Sequence, residues 1–202
     1  HGVPGAMVSV VCSNALNRSV KEFALKQPKD ILDKTRELVL DAFAKSTEEV
    51  ADGMDISLLA IHTKDKKVIF AGAHNGIWLV RESDKIKDLP EGVRTLEGEK
   101  HTLLEWKGDK QPIGRFEEMK PFQEFEIQLE ENDQLYLMSD GYADQFGGPN
   151  GKKFKYVALK KTLLEHADQS MDAQQENLST TFYSWIGDNE QIDDVCVVGF
   201  RL

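Results

Sequence analysis

Apolar periodicity changes along this chain in blocks, and the order of the blocks restricts the fold more than any other feature. Residues 3–24 carry Met7, Val8, Val11, Ala15 and Leu16 at helical spacing, with Pro4 suited to a first turn. Pro28 opens a second helical stretch in which Ile31, Thr35, Leu38, Val39, Ala42 and Phe43 share a face. After a polar hinge at 46–55, strand-like runs follow one another at 55–63, 67–74, 76–81, 101–108 and 124–133. In the last of these, Phe125, Ile127 and Leu129 alternate with Glu124, Glu126, Gln128 and Glu130, the pattern of a half-buried antiparallel strand. "QLYLMSD" adds another strand, and a Gly/Pro/Asn/Lys loop at 147–155, of which 148–155 is read as mobile and basic, leads to two further helices. Val157, Leu163 and Leu164 serve the first, and Met171, Leu178, Phe182 and Trp185 the second, with Gly187 at its end. "DDVCVVGFRL" closes the chain as a strand. Paired helices and consecutive strands imply an α+β fold with antiparallel sheets, not a parallel doubly wound one.

The 202 residues suit one large domain or two small ones, and no linker is long enough to divide the chain into two domains. With 35 acidic against 25 basic residues, the net charge of −10 argues against nucleic acid or an anionic membrane as partner. Cys12 and Cys196 lie among apolar residues without metal or redox spacing, so both are expected as packed, reduced thiols. No membrane span or signal peptide is visible, and a cytoplasmic location is the default expectation.

Two strands carry acidic residues at an end. One delivers Asp140 of "SDG", and the other is entered through Asp193 and Asp194. Were these strands antiparallel neighbours, Asp140 and Asp193 would converge. Two uncompensated carboxylates repel, and a hard divalent cation such as Mg²⁺ or Mn²⁺ removes that penalty. The same residues also fit two unrelated surface turns, since Asp-Gly is a common turn dipeptide.

"HGVPGA", "SDGYAD" and "QIDDV", in this order, resemble the SpoIIE/RsbU-like branch of the metal-dependent (PPM-type) protein phosphatases. "DGMDISLLAI", "VIFAGAHNGIWLV", "KQPIGRFE" and "YADQFGGPNGKKF" fit as well, so the resemblance spans residues 1–202. It implies a four-layer α/β/β/α sandwich of two antiparallel sheets flanked by helices. It also implies two Mn²⁺ or Mg²⁺ ions, with Asp140 and Asp193 as ligands. Asp194 and Gly141 take supporting positions, and His1 and Gly2 lie near the site. The implied reaction is hydrolysis of phosphoserine or phosphothreonine on a regulatory protein by a metal-activated water, with no protein nucleophile. The domain would be the signalling output of a bacterial sensor whose sensory region lies upstream.

The family motif places an Asp-x-x-Gly directly ahead of the His-Gly-x-Pro-Gly-Ala segment, and its Asp bridges both metals. This chain begins at His1. The expectation is a single domain over 1–202 lacking its N-terminal strands, weakly active or inactive as it stands, with exposed sheet edge inviting a homodimer. The alternative is a catalytically silent pseudophosphatase that binds a partner; Asp140 and Asp193 weigh against it. In "AGAHNG" the family order differs, and His74 is read as structural; Asp52 and Asp55 are read as solvated turn residues, and Gly2 and Gly5 as sites of close backbone packing.

Overall fold

The computed structural model describes residues 2–44 and 53–201. His1, Asp52 and most of the expected hinge lie outside the described residues. In chain order the elements are α1 (Gly2–Lys21), α2 (Pro28–Phe43), β1 (Ile56–His62), β2 (Lys67–Ala73), β3 (Ile77–Glu82), β4 (Arg94–Glu97), β5 (His101–Trp106), β6 (Phe125–Gln128) and β7 (Gln134–Met138). They continue with α3 (Gly141–Asp144), β8 (Phe146–Gly147), β9 (Lys152–Lys153), α4 (Tyr156–Glu165), α5 (Met171–Ile186) and β10 (Val197–Arg201). The architecture is α+β, and its named strand pairs are all antiparallel.

The chain resolves into two compact units, His1–Gly76 with Lys107–Leu129 and Ile77–Trp106 with Glu130–Leu202. In the first, the sheet order is β1-β2-β6. Its core joins Val8, Cys12 and Ala15 of α1 to Leu32 and Val39 of α2, and to Ala71 and Ala73 of β2. The buried face of α1 runs through Val8, Cys12, Ala15 and Ser19, while Met7 is 62% exposed, contrary to expectation. Small and polar residues occupy that face because α2 packs against it. Thr35 Oγ1 lies 3.1 Å from Ser19 Oγ, and each hydroxyl also donates to the carbonyl four residues earlier in its own helix. On α2, Leu32 is fully buried and Ala42 is exposed, so the apolar stripe turns earlier than the spacing suggests. Gly5 has open space where a Cβ would stand, and no close packing explains it.

The second unit holds the sheet β10-β7-β3-β5-β4. Trp78, Val80, Leu103 and Tyr136 from the strands meet Leu159 and Leu163 of α4 and Phe182 of α5. Val157 is 59% exposed and Leu159 takes the core position expected for it. Gly187 ends α5 at φ 54°, a left-handed conformation that favours glycine. Residues 146–153 form a β8–β9 hairpin where a mobile loop was expected. Aromatic contacts anchor it: Phe154 meets Tyr142 at 5.2 Å and Trp185 at 5.3 Å between ring centroids. Cys12 is buried, and desolvation raises its thiol pKa; Cys196 is exposed, against expectation, because it lies in the stretch leading into β10 rather than within the sheet. Among the described residues, no helix is long and apolar enough to cross a membrane.

Candidate active site

β7 and β10 are antiparallel neighbours, registered from Arg201 opposite Gln134 to Val197 opposite Met138. The end of β7 therefore lies beside the entry to β10, which is the condition under which Asp140 and Asp193 approach. Past the last ladder pair, Ser139 N–H donates to the Cys196 carbonyl at 2.9 Å. The Ser139 hydroxyl donates to the Asp194 carbonyl at 2.7 Å and accepts from Cys196 N–H at 3.0 Å.

Asp140 then turns the chain into α3 with φ −77° and ψ −19°. Aspartate before a helix ordinarily spends its carboxylate on a free helix N–H. Asp140 makes no such capping bond, and its side chain is exposed. Gly141 opens the helix, and its φ is not positive, so turn conformation does not explain the glycine. Space does: a Cβ there would stand 2.5 Å from the Asp194 carbonyl oxygen and 3.4 Å from the Asp193 carbonyl carbon. Tyr142, next in line, is buried and donates to the Leu178 carbonyl at 2.8 Å, which fastens α3 to α5.

Asp193 is half-buried, with Oδ1 accepting from Asp194 N–H at 2.8 Å and its backbone carbonyl accepting from Gln191 Nε2 at 2.8 Å. Among the described residues, no ion pair engages Asp140, Asp193 or Asp194. Asp144, one helical turn beyond Asp140, is held by Lys153 at 2.8 Å. The Tyr156 hydroxyl records the acidic surroundings: burial first, then the charges of Asp140, Asp144 and Glu105, push its pKa up to about 12.

Of the other residues singled out by sequence, Gly2 begins α1. His74 Nδ1 lies 2.9 Å from Asp55 Oδ1, in the unit formed by residues 1–76 and 107–129. A cavity of about 570 Å³ between α5 and β10 is lined by Tyr136, Leu178, Phe182 and Val197 among others, and Asp140 and Asp193 are not part of its wall. Among the described residues, no group of three or more His, Cys, Asp or Glu side chains is placed to hold a metal ion. Ser139 and the buried Gln134–Tyr136–Gln174 cluster were not anticipated. The hydroxyl beside the "SDG" aspartate was the one available signal for Ser139, and it reads equally as part of a turn.

The family model for Stage II sporulation protein E (SpoIIE) matches residues 1–202. The chain belongs to the SpoIIE family. It is a PPM-type phosphatase domain, and the fold is shared with solved members. The SiaA-PP2C domain of Pseudomonas aeruginosa is 25% identical, with a TM-score of 0.79 over 100% of this chain and 72% of that one. The PP2C phosphatase domain and regulatory-domain fragment of the cell fate determinant SpoIIE from Bacillus subtilis is 16% identical, with a TM-score of 0.67. That match covers 100% of the present chain and 51% of the SpoIIE chain, so the chain spans about half of it. Manganese-presoaked SpoIIE phosphatase domain from the same organism is 14% identical, with a TM-score of 0.53 over 95% of this chain and 73% of that one. No curated protein matches the sequence.

Proposed function

We propose that this SpoIIE-family domain is a metal-dependent protein phosphatase that hydrolyses phosphoserine or phosphothreonine on a regulatory protein. Asp140 and Asp193 are proposed to hold the Mn²⁺ or Mg²⁺ ions. One observation supports the reading: Gly141, the residue after Asp140, lies against the Asp193–Asp194 backbone, and neither Asp140 nor Asp193 is engaged in an ion pair among the described residues. The donor set fits, because exposed or half-exposed carboxylate oxygens are what small hard divalent cations select. When bound, such ions supply Lewis-acid activation of water and neutralise charge on the transferring phosphoryl group.

The chain's own residues contribute placement. Asp140 presents its carboxylate at the start of α3 without spending it on a cap. Asp193 keeps one carboxylate oxygen on the Asp194 amide, which fixes its rotamer and leaves the other oxygen available. Asp194 supports the pair through its carbonyl, the acceptor of the Ser139 hydroxyl. Membership of the SpoIIE family over residues 1–202 supports the protein-phosphatase reading.

The test is Mn²⁺-dependent release of phosphate from phosphoserine and phosphothreonine peptides, run beside Asp140→Asn and Asp193→Asn. Turnover that either substitution reduces to background, with an unchanged circular-dichroism spectrum, supports the reading. Metal-independent turnover, or turnover indifferent to both substitutions, contradicts it. Binding of phosphopeptide without turnover by the unaltered protein would favour the silent partner-binding domain.

A further inference from the structure

We infer that Ser139 is a positioning residue whose hydroxyl sets the spacing of Asp140 and Asp193, and so the affinity of that pair for divalent cations. The inference rests on the metal reading above.

The β7–β10 ladder stops at Met138 and Val197, two residues before Asp140 on one strand and four residues after Asp193 on the other. Something must carry the register across that gap. Ser139 does so with three bonds, one from its amide to the Cys196 carbonyl and two through its hydroxyl, to the Cys196 amide and the Asp194 carbonyl. Its hydroxyl is thus donor and acceptor at once to backbone two residues apart. Gly141 closes on the same Asp194 carbonyl from the far side of Asp140. The residues flanking Asp140 therefore both bear on one peptide carbonyl adjacent to Asp193.

This arrangement has work to do. Paired carboxylates repel until a cation binds, so the backbone beneath them has to hold against that repulsion. A clasp that keeps the pair together before binding spares the ion the cost of assembling it. Removing it leaves two backbone groups in an exposed segment, where water satisfies them; the fold survives and the geometry loosens. Residues that orient metal ligands typically alter affinity by 10–100-fold when replaced.

The experiment titrates Mn²⁺ into the full chain and follows loss of the free-ion electron paramagnetic resonance signal, for the unaltered protein, Ser139→Ala, Ser139→Thr and Asp140→Asn. Ser139→Ala is expected to weaken Mn²⁺ binding by about tenfold, with the metal-free melting temperature nearly unchanged. Ser139→Thr, which keeps the hydroxyl, is expected to bind as the unaltered chain does. Hydrogen exchange in metal-free protein should show faster exchange of the Cys196 amide in Ser139→Ala alone. Asp140→Asn separates two kinds of failure. Should it abolish binding while Ser139→Ala binds normally, or should Ser139→Thr be as weak as Ser139→Ala, the clasp is overturned and the metal reading stands. Should the unaltered chain bind no Mn²⁺, or Asp140→Asn bind undiminished, the metal reading falls and takes the clasp with it. A Ser139→Ala protein that is unfolded before metal is added, beside a folded Ser139→Thr, makes the hydroxyl a stability element and also overturns the positioning role.

Discussion

Two aspartates flank the same strand and are treated in opposite ways. Asp133 precedes β7, and its side chain is 1% exposed. Arg81 of β3 donates to both its oxygens, and Glu130 N–H donates to Oδ2 at 2.7 Å. Asp140 follows β7, is exposed, and has no ion-pair partner among the described residues. A buried carboxylate must be paired, because its desolvation is otherwise uncompensated. A carboxylate at the rim can stay unpaired, and then it is free to meet a cation from outside. The chain thus balances one charge internally at the start of β7 and leaves the other open where β7 meets the entry to β10.

The contrast breaks most visibly by neutralising each acid in turn. Asp140→Asn should cost at least about a hundredfold in Mn²⁺-dependent phosphatase rate, the upper end of what even indirect metal partners cost, with no loss of thermal stability. Asp133→Ala should do the reverse. Breaking this buried pair from the acid side should cost about 3–5 kcal/mol of folding free energy, read by urea titration, with the rate per folded molecule retained. Gly141→Ala should show a mixed effect: the new methyl meets backbone at 2.5 Å, so about 1–3 kcal/mol of stability is lost and Mn²⁺ affinity falls with it. The smallest change is expected from Lys153→Ala. Its pair with Asp144 is solvent-screened on both sides, at 44% and 40% side-chain exposure, so stability should move by less than about 1 kcal/mol in thermal melts.

What could be read from the sequence follows from where apolar periodicity is strong. α1, α2, α4 and α5 declare themselves by apolar residues at helical spacing, and β1, β2 and β3 by short, near-continuous apolar runs, of which β2 and β3 are buried on both faces and β1 only in part. β4 did not: in Arg94–Glu97 only Leu96 is even partly buried, so an edge strand looks like a charged loop. α3 is four residues long and starts at a turn dipeptide, too short to show a period. Gln134 and Gln174 give no core signal because polar residues are normally surface residues; the Tyr136 hydroxyl lies within hydrogen-bond distance of both side-chain carbonyls, Gln174 Nε2 donates to Gln134 Oε1, and the two glutamines are 40 residues apart in the chain. At the site, the acidic strand ends were legible, and their approach was conditional on the two strands being antiparallel neighbours. The β7–β10 pairing that meets this condition, the close approach of Gly141 to Asp194 and the Ser139 hydroxyl bonds are long-range facts that no local pattern shows.

The most direct measurement is an anomalous difference map from crystals of the protein soaked in Mn²⁺. The account predicts a peak in contact with Oδ atoms of both Asp140 and Asp193, at about 2.0–2.3 Å, the range for small hard cations on oxygen. Manganese elsewhere on the molecule, with these two carboxylates bare, would contradict it.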